Sequence, residues 1–348
     1  MMQVIEINSF GGVEALQTAC RQKPEPGAGE VRIAIYATAI NPVDYKIRQG
    51  QFGGDLPTIL GQDLAGVIDA IGQGVDDFRP GDEVCAYLGG PKSNGSYAEY
   101  VCVSTCFVCK KPSNLSFAQA AAIPLAGLTA HESVVNKAKV QAGDSVFIAG
   151  GSGGVGSMAI QLCHSLGVTS IVATAGGDRS ANYLEEELGV PAKQIIRYKQ
   201  RSLEELEERI KAVNGGKPVN AAFDFAGDDM KRLCCRVIGF EGCVVSIVEE
   251  PSDFNLDLFN GRQSPLFARS ASFHFEFLAA RALFGGPKDW PIYQQKLDAL
   301  MQLLETGHIK PPAITAINTF SEDSFRTAHT MLEQGDIQGK IVVSVASP

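Results

Sequence analysis

The stretch Val146-Phe147-Ile148-Ala149-Gly150-Gly151-Ser152-Gly153-Gly154-Val155-Gly156-Ser157-Met158-Ala159-Ile160-Gln161-Leu162 constrains this chain more than any other. Val146 to Ala149 is a short apolar run of the kind that forms a buried strand. After the glycines, Val155, Met158, Ala159 and Leu162 recur at helical spacing. Between strand and helix, Gly151, Gly153 and Gly156 spell G-x-G-x-x-G. The first glycine permits a tight turn, the second lets backbone approach a pyrophosphate, and the third lets helix pack on strand. Gly154 and Val155 then open a helix whose free N–H groups and partial positive charge face the phosphates. A glycine-rich turn with no ligand is the plain alternative. The strand before, the helix after and the alternation downstream favour a dinucleotide site.

That alternation runs through strand-like Ser170–Thr174, Gln194–Tyr198, Ala221–Phe225 and Cys243–Val248, with helical patterns between them. Ser202-Leu203-Glu204-Glu205 is a capping box whose helix stops at Gly215-Gly216. A parallel, doubly wound sheet with helices on both faces follows. The N-terminal third differs. Val31–Ala39, Ala65–Ile71, Glu83–Leu88 and Ser96–Val103 are strand-like runs separated by turns, without helices between, which predicts a partly open β-barrel. An Ala-rich helical run behind Ser116 marks the change. The segment 249–270 reads as irregular, and Ser272–Leu278 as a strand with alternating Phe273, Phe275 and Phe277. The last segments return to the first domain, because the nucleotide sheet has six strands without them. The expected domains are 1–125 with 279–348, and 126–278.

A net charge of −9 disfavours a nucleic-acid partner, since phosphate binding rests on clustered Lys and Arg. No apolar run approaches the ~20 residues that span a membrane, and the N-terminus has no secretory pattern. Nine cysteines without such a signal indicate a reducing cytoplasm rather than a disulfide framework. Cys102, Cys106 and Cys109 have metal-like spacing, but they sit in strand material with no fourth ligand nearby.

Several ordered stretches resemble one family: Asn41-Pro42-Val43-Asp44, Gly61-Gln62-Asp63-Leu64-Ala65-Gly66, Pro80-Gly81-Asp82, Gly95-Ser96-Tyr97-Ala98-Glu99-Tyr100, Gly127-Leu128-Thr129-Ala130, the glycine loop, and Gly339-Lys340-Ile341-Val342. Together they look like the medium-chain dehydrogenase/reductase superfamily, in its zinc-free quinone oxidoreductase branch. The resemblance implies an α/β protein with a GroES-like β-barrel catalytic domain and a Rossmann domain. Where zinc-dependent members carry a Cys ligand and a Gly-His-Glu, this chain has Asn41 and Gly61-Gln62-Asp63. An amide for the thiolate and a neutral Gln for the His leave no tetrahedral N/S site, so no metal is expected.

By the same resemblance Asn41, Tyr45 and Gln62 line the cleft beside the nicotinamide, the two amides as N–H donors to a substrate carbonyl. Asn41 and Asp44 can also simply cap the turn around Pro42. His131, in a helix, reads as structural. Thr129, Thr174 and Val248 join the glycine-loop residues as cofactor contacts. The second strand ends Val172-Ala173-Thr174-Ala175-Gly176-Gly177, with no carboxylate at its tip for a ribose 2′-OH. Arg179 follows, and Arg197-Tyr198-Lys199 resembles the stretch with which this branch holds a 2′-phosphate; a solvated basic turn is the alternative. The implied cofactor is NADP(H) and the implied activity is zinc-free reduction of quinones or other activated acceptors. Reduction of alkenal or enone double bonds, and non-catalytic NADPH binding of the crystallin kind, are the alternatives. The edge position of Ser272–Leu278 predicts a homodimer.

Overall fold

The computed structural model describes residues 1–90, 94–256, 258, 260–335 and 337–346. They form two compact units, Met1–Leu128 with Leu278–Pro348, and Thr129–Phe277. In the second unit six strands lie in the order Ile195–Arg197, Ser170–Ala175, Ser145–Ala149, Val219–Asp224, Ile238–Ser246, Ser272–Phe275. Every neighbouring pair is parallel. Val146 to Ala149 are buried throughout because a central parallel strand is covered on both faces, which explains its continuous rather than alternating apolar pattern. The chain leaves this strand first to one side and then to the other. The reversal opens a crevice at the carboxyl ends of the strands, where such sheets bind ligands.

Helices cover this sheet as their patterns predict. Ser202 Oγ accepts the Glu205 N–H at 3.2 Å and the Glu205 carboxylate accepts the Ser202 N–H at 3.0 Å, which starts the helix Leu203–Val213. Its Leu206 and Ile210 pack with Phe147, Val172 and Leu233. Two strands differ from the sequence pattern. The fifth begins at Ile238, earlier than Cys243, through a register shift against Val219–Asp224. The sixth stops at Phe275, because its partner ends at Ser246, whose carbonyl accepts the last rung from Glu276 N–H at 2.9 Å. The segment 249–270 carries no strand, only the short helical turn Phe267–Arg269, among its described residues; Asp257 and Phe259 lie outside them.

The first unit is organised by the long strand Glu30–Ile40. Along one side it pairs antiparallel with Asp63–Ile71, with register shifts that bend it. Along the other it pairs with Tyr100–Ser104 over its first half and with Lys340–Ser344 over its second. The sheet continues from Asp63–Ile71 to Glu83–Tyr87 and Val108–Lys110, and from Lys340–Ser344 to Ile314–Ile317. Met2–Ile7, Leu16–Arg21 and Thr58–Ile59 form a separate three-stranded sheet. Ser96 and Tyr97, read as strand, instead donate their N–H groups to the carbonyls of Gly61 and Leu60. The approach is so close that a Cβ on Gly95 would lie 2.0 Å from the Leu60 oxygen, so no other residue fits there.

Candidate active site

The glycine loop is built by crowding. Gly150, outside the motif, carries the left-handed turn at φ +80°, a place assigned from sequence to Gly151. Gly151 is needed for a different reason: a Cβ there would crowd Ile160, Leu184 and Ala173 at 3.1–3.3 Å. A Cβ on Gly156 would lie 2.2 Å from the Gly150 oxygen, so only glycine lets helix Gly154–Ser165 start this close to the loop. Gly153 is the exception, since a Cβ there meets nothing nearer than the Gly150 oxygen at 3.5 Å. Its openness fits a ligand's approach rather than internal packing. The first-turn N–H groups at Gly154 and Val155 suit phosphate oxygens. Thr174 is buried and its Oγ1 accepts the Gly150 N–H at 3.3 Å, bracing the turn from the neighbouring strand.

At the end of strand Ser170–Ala175 the chain passes Gly176 and Gly177. The Tyr198 hydroxyl and the Lys199 stem stand over Gly176, where a Cβ would lie 3.2 and 3.6 Å from them. Tyr198 N–H is anchored on the Ala175 carbonyl at 3.2 Å. Arg197 holds Asp178 at 2.8 Å, an exposed pair that a dianionic phosphate can displace at little cost. Arg179 is exposed and without a carboxylate partner among the described residues. The carboxylate nearest the strand tip is thus neutralised by an arginine. Farther along the sheet, the Val248 carbonyl accepts a 2.7 Å bond from the buried Lys231 ammonium, which also pairs with Glu250 at 2.7 Å. Thr129 is buried and its carbonyl accepts Ser133 Oγ at 2.8 Å.

In the first unit, Asn41 is buried and sits at the N-terminus of helix Pro42–Arg48. Asp44 accepts the Asn41 backbone N–H at 2.7 Å, the cap that the Asn-Pro-x-Asp pattern predicts. The Asn41 side chain is turned elsewhere. Its Nδ2 donates to Asp63 Oδ2 at 2.8 Å, and its Oδ1 accepts from the Lys340 ammonium. Lys340 in turn lies 3.2 Å from Asp63 Oδ2, and Asp63 Oδ1 accepts the Leu125 N–H at 2.7 Å. Burial pushes the Asp63 carboxyl up, opposed by Lys340 and by its hydrogen bonds, and burial raises Asp44 to about 7. Gln62 and Tyr45 are half-buried and their side chains have no hydrogen-bond partner among the described residues. Burial, then the Glu333 charge, raises the Tyr45 hydroxyl. Asp63 and Lys340 lie in two of the family-like sequence stretches, but no local spacing signals that they meet. Among the described residues no three His, Cys, Asp or Glu gather as metal ligands.

A buried charge that loses its partner costs about 3–5 kcal/mol. Lys340→Met should therefore destabilise the protein by that amount in denaturant unfolding, and adding Asp63→Asn should recover most of it. An additive double variant would show that the pair is not coupled.

Residues 27–113 match the model of the alcohol dehydrogenase GroES-like domain, and residues 190–343 that of the zinc-binding dehydrogenase. The chain is 33% identical to the 2-methylene-furan-3-one reductase of Solanum lycopersicum, over 98% of this chain and 79% of the other. It is 39% identical to the chloroplastic NADPH-dependent alkenal/one oxidoreductase of Arabidopsis thaliana, over 59% of this chain and 55% of that one. The quinone oxidoreductase structure from Coxiella burnetii superposes with a TM-score of 0.79 at 30% identity, covering 99% of both chains. A strand order reversing beside a crowded glycine loop, and a mostly antiparallel sheet assembled from both ends of the chain, agree with these likenesses: the chain belongs to the medium-chain dehydrogenase/reductase superfamily.

Proposed function

We propose that this protein is an NADPH-dependent reductase that passes hydride to quinones, or to other activated carbonyl and enone acceptors, without zinc. One observation carries the reading: at the two places where zinc-dependent relatives set ligands stand amides, and the cation beside them is a buried lysine tied to Asp63 and Asn41. Bound NADPH supplies the hydride. The acceptor oxygen takes hydrogen bonds from the Gln62 amide and the Tyr45 hydroxyl. Asn41 adds its second N–H, which the Ala39 carbonyl holds only at 3.5 Å. These fixed donors stabilise charge as it develops on the oxygen. They offer less than a metal, which suits an acceptor already avid for hydride and not a simple alcohol. The free cysteines suit a reducing compartment such as the cytoplasm.

The names of the two plant relatives support a second reading, reduction of the double bond of an enone or alkenal. A panel of naphthoquinone, an alkenal and a cyclic enone, each with NADPH, separates the two. Turnover unaffected by EDTA is expected with at least one acceptor. Tight NADPH binding without any turnover would point instead to a binding protein, and activity restored only by zinc would overturn the metal-free chemistry.

Cofactor choice rests on the cations beyond the second strand. Arg197→Ala should weaken NADPH binding roughly ten- to a hundredfold, the range of a lost charge-assisted contact. NADH binding should stay nearly unchanged. Equal losses for both cofactors would refute a 2′-phosphate contact.

We also propose a homodimer through the edge strand Ser272–Phe275. Phe273 packs on the unit's own core, whereas Phe275 is 68% exposed on a strand whose outer edge pairs with no other strand among the described residues. Two copies of one edge related by a two-fold axis satisfy both. Light scattering at micromolar concentration should give a dimer mass, and Phe275→Pro a folded monomer that still binds NADPH. A monomeric parent, or a variant that stays dimeric, would defeat this interface.

A further inference from the structure

The cysteine spacing that resembled a metal site takes another form in the fold. Cys102, Cys106 and Cys109 do not gather as a ligand set, and Cys109 is instead paired in register with Cys85 across the antiparallel strands Glu83–Tyr87 and Val108–Lys110. Their sulfurs lie 3.2 Å apart, and both residues are buried. No other two cysteine sulfurs are in contact among the described residues.

We propose that Cys85 and Cys109 form an oxidisable dithiol, a site of reversible disulfide formation by hydrogen peroxide. Directly opposed residues on antiparallel strands have Cα atoms about 4.5–5.5 Å apart, within the span of about 4.4–6.8 Å that a disulfide bridges. The sulfurs need only close from 3.2 Å to the bonded separation of about 2.05 Å. The register therefore holds both partners in place before any chemistry begins. One thiol loses its proton, and the thiolate attacks a peroxide oxygen. The O–O bond breaks, giving a sulfenic acid and hydroxide, which takes up the proton as water. The second sulfur attacks the sulfenic sulfur, the S–O bond breaks, and water leaves with the second thiol's proton. Two thiols are oxidised by two electrons and peroxide is reduced to two waters.

Burial sets the pace. It pushes the Cys109 thiol well above its ordinary range, with the Cys85 thiol adding to the shift, so thiolate is scarce at neutral pH. Peroxide enters only when the strand pair opens locally. The site is accordingly slow to oxidise, faster at higher pH, and once closed it is shielded from reductants. The bond ties two adjacent strands and encloses the segment carrying Ser96 and Tyr97, which constrains the unfolded chain and raises the melting temperature.

The exposed Cys20 is first replaced by Ser, leaving eight of the nine cysteines. The protein is then incubated with hydrogen peroxide at pH 7 and pH 9, alkylated, and digested without reductant for mass spectrometry. The expected product is a peptide pair joined through Cys85 and Cys109. Two thiols should be lost in denaturant, faster at pH 9, and dithiothreitol should restore them. The oxidised protein should melt at a higher temperature, and Cys109→Ala in the same background should abolish the two-thiol loss. The proposal is overturned if both cysteines remain alkylatable while others oxidise, if no thiol is lost, or if Cys109→Ala loses two thiols at the parent rate.

Discussion

Asp63 and Lys340 are separated by 277 positions, and both are buried. Either charge alone in that place would cost about 3–5 kcal/mol, so each residue depends on the other. Around them the polar atoms are used with little left over: Asn41 bridges the two, and the Leu125 N–H takes the second carboxylate oxygen. The pairing also fixes where strand Lys340–Ser344 lies against Glu30–Ile40, since Ile341 stands opposite Ile40, the residue before Asn41. The helix Pro42–Arg48, which carries Tyr45, begins at that same asparagine. The orientation of the proposed acceptor-binding groups therefore descends from one buried ion pair.

A second buried polar set secures the other end of that helix. Arg48 is buried and pairs with Glu333 on helix Glu322–Gln334. On the same helix His329 accepts or donates a 2.9 Å bond with the Tyr97 hydroxyl. Burial, then the Arg48 charge, lowers His329 to about 3, so its ring is neutral at any ordinary pH and serves as a dipolar partner. Ionic and neutral contacts thus divide the labour. The charged pairs set register between distant strands and helices, while the aromatic contact of Tyr97 with Phe325 fills the core between them.

What was legible in the sequence was local. The Rossmann strands, their parallel order and the first-unit strands Glu30–Ile40, Asp63–Ile71 and Glu83–Tyr87 follow from periodicity and turn residues, because each pattern reports burial within a few positions. Met2–Ile7 and Leu16–Arg21 lacked such a signal, and Ser96 and Tyr97 had one without being strand. The helix-packing role of Gly156 was legible for the same reason. The left-handed turn at Gly150 was not, since motif spacing marks which positions must be small but not which of them rotates. At the candidate site Asn41, Tyr45 and Gln62 were named, but the commitment of the Asn41 amide was hidden. Its partner Lys340 lies 299 residues away, and no window of sequence registers that distance. The cysteine run was legible as strand material, but that Cys109 meets Cys85, 24 residues back across a ladder, was hidden in the same way.

The first unit is discontinuous in sequence, and this has a consequence for how the chain is made. On the ribosome, Thr129–Phe277 emerges whole before the rest of its neighbour and can fold as a unit. The N-terminal strands cannot finish until strand Lys340–Ser344 arrives. Until then Ala37–Ile40 presents an open edge, and Asp63 waits without its lysine. A chain released short of Lys340 would carry a complete Rossmann unit attached to an unclosed, adhesive sheet, a nascent species suited to capture by chaperones and proteases.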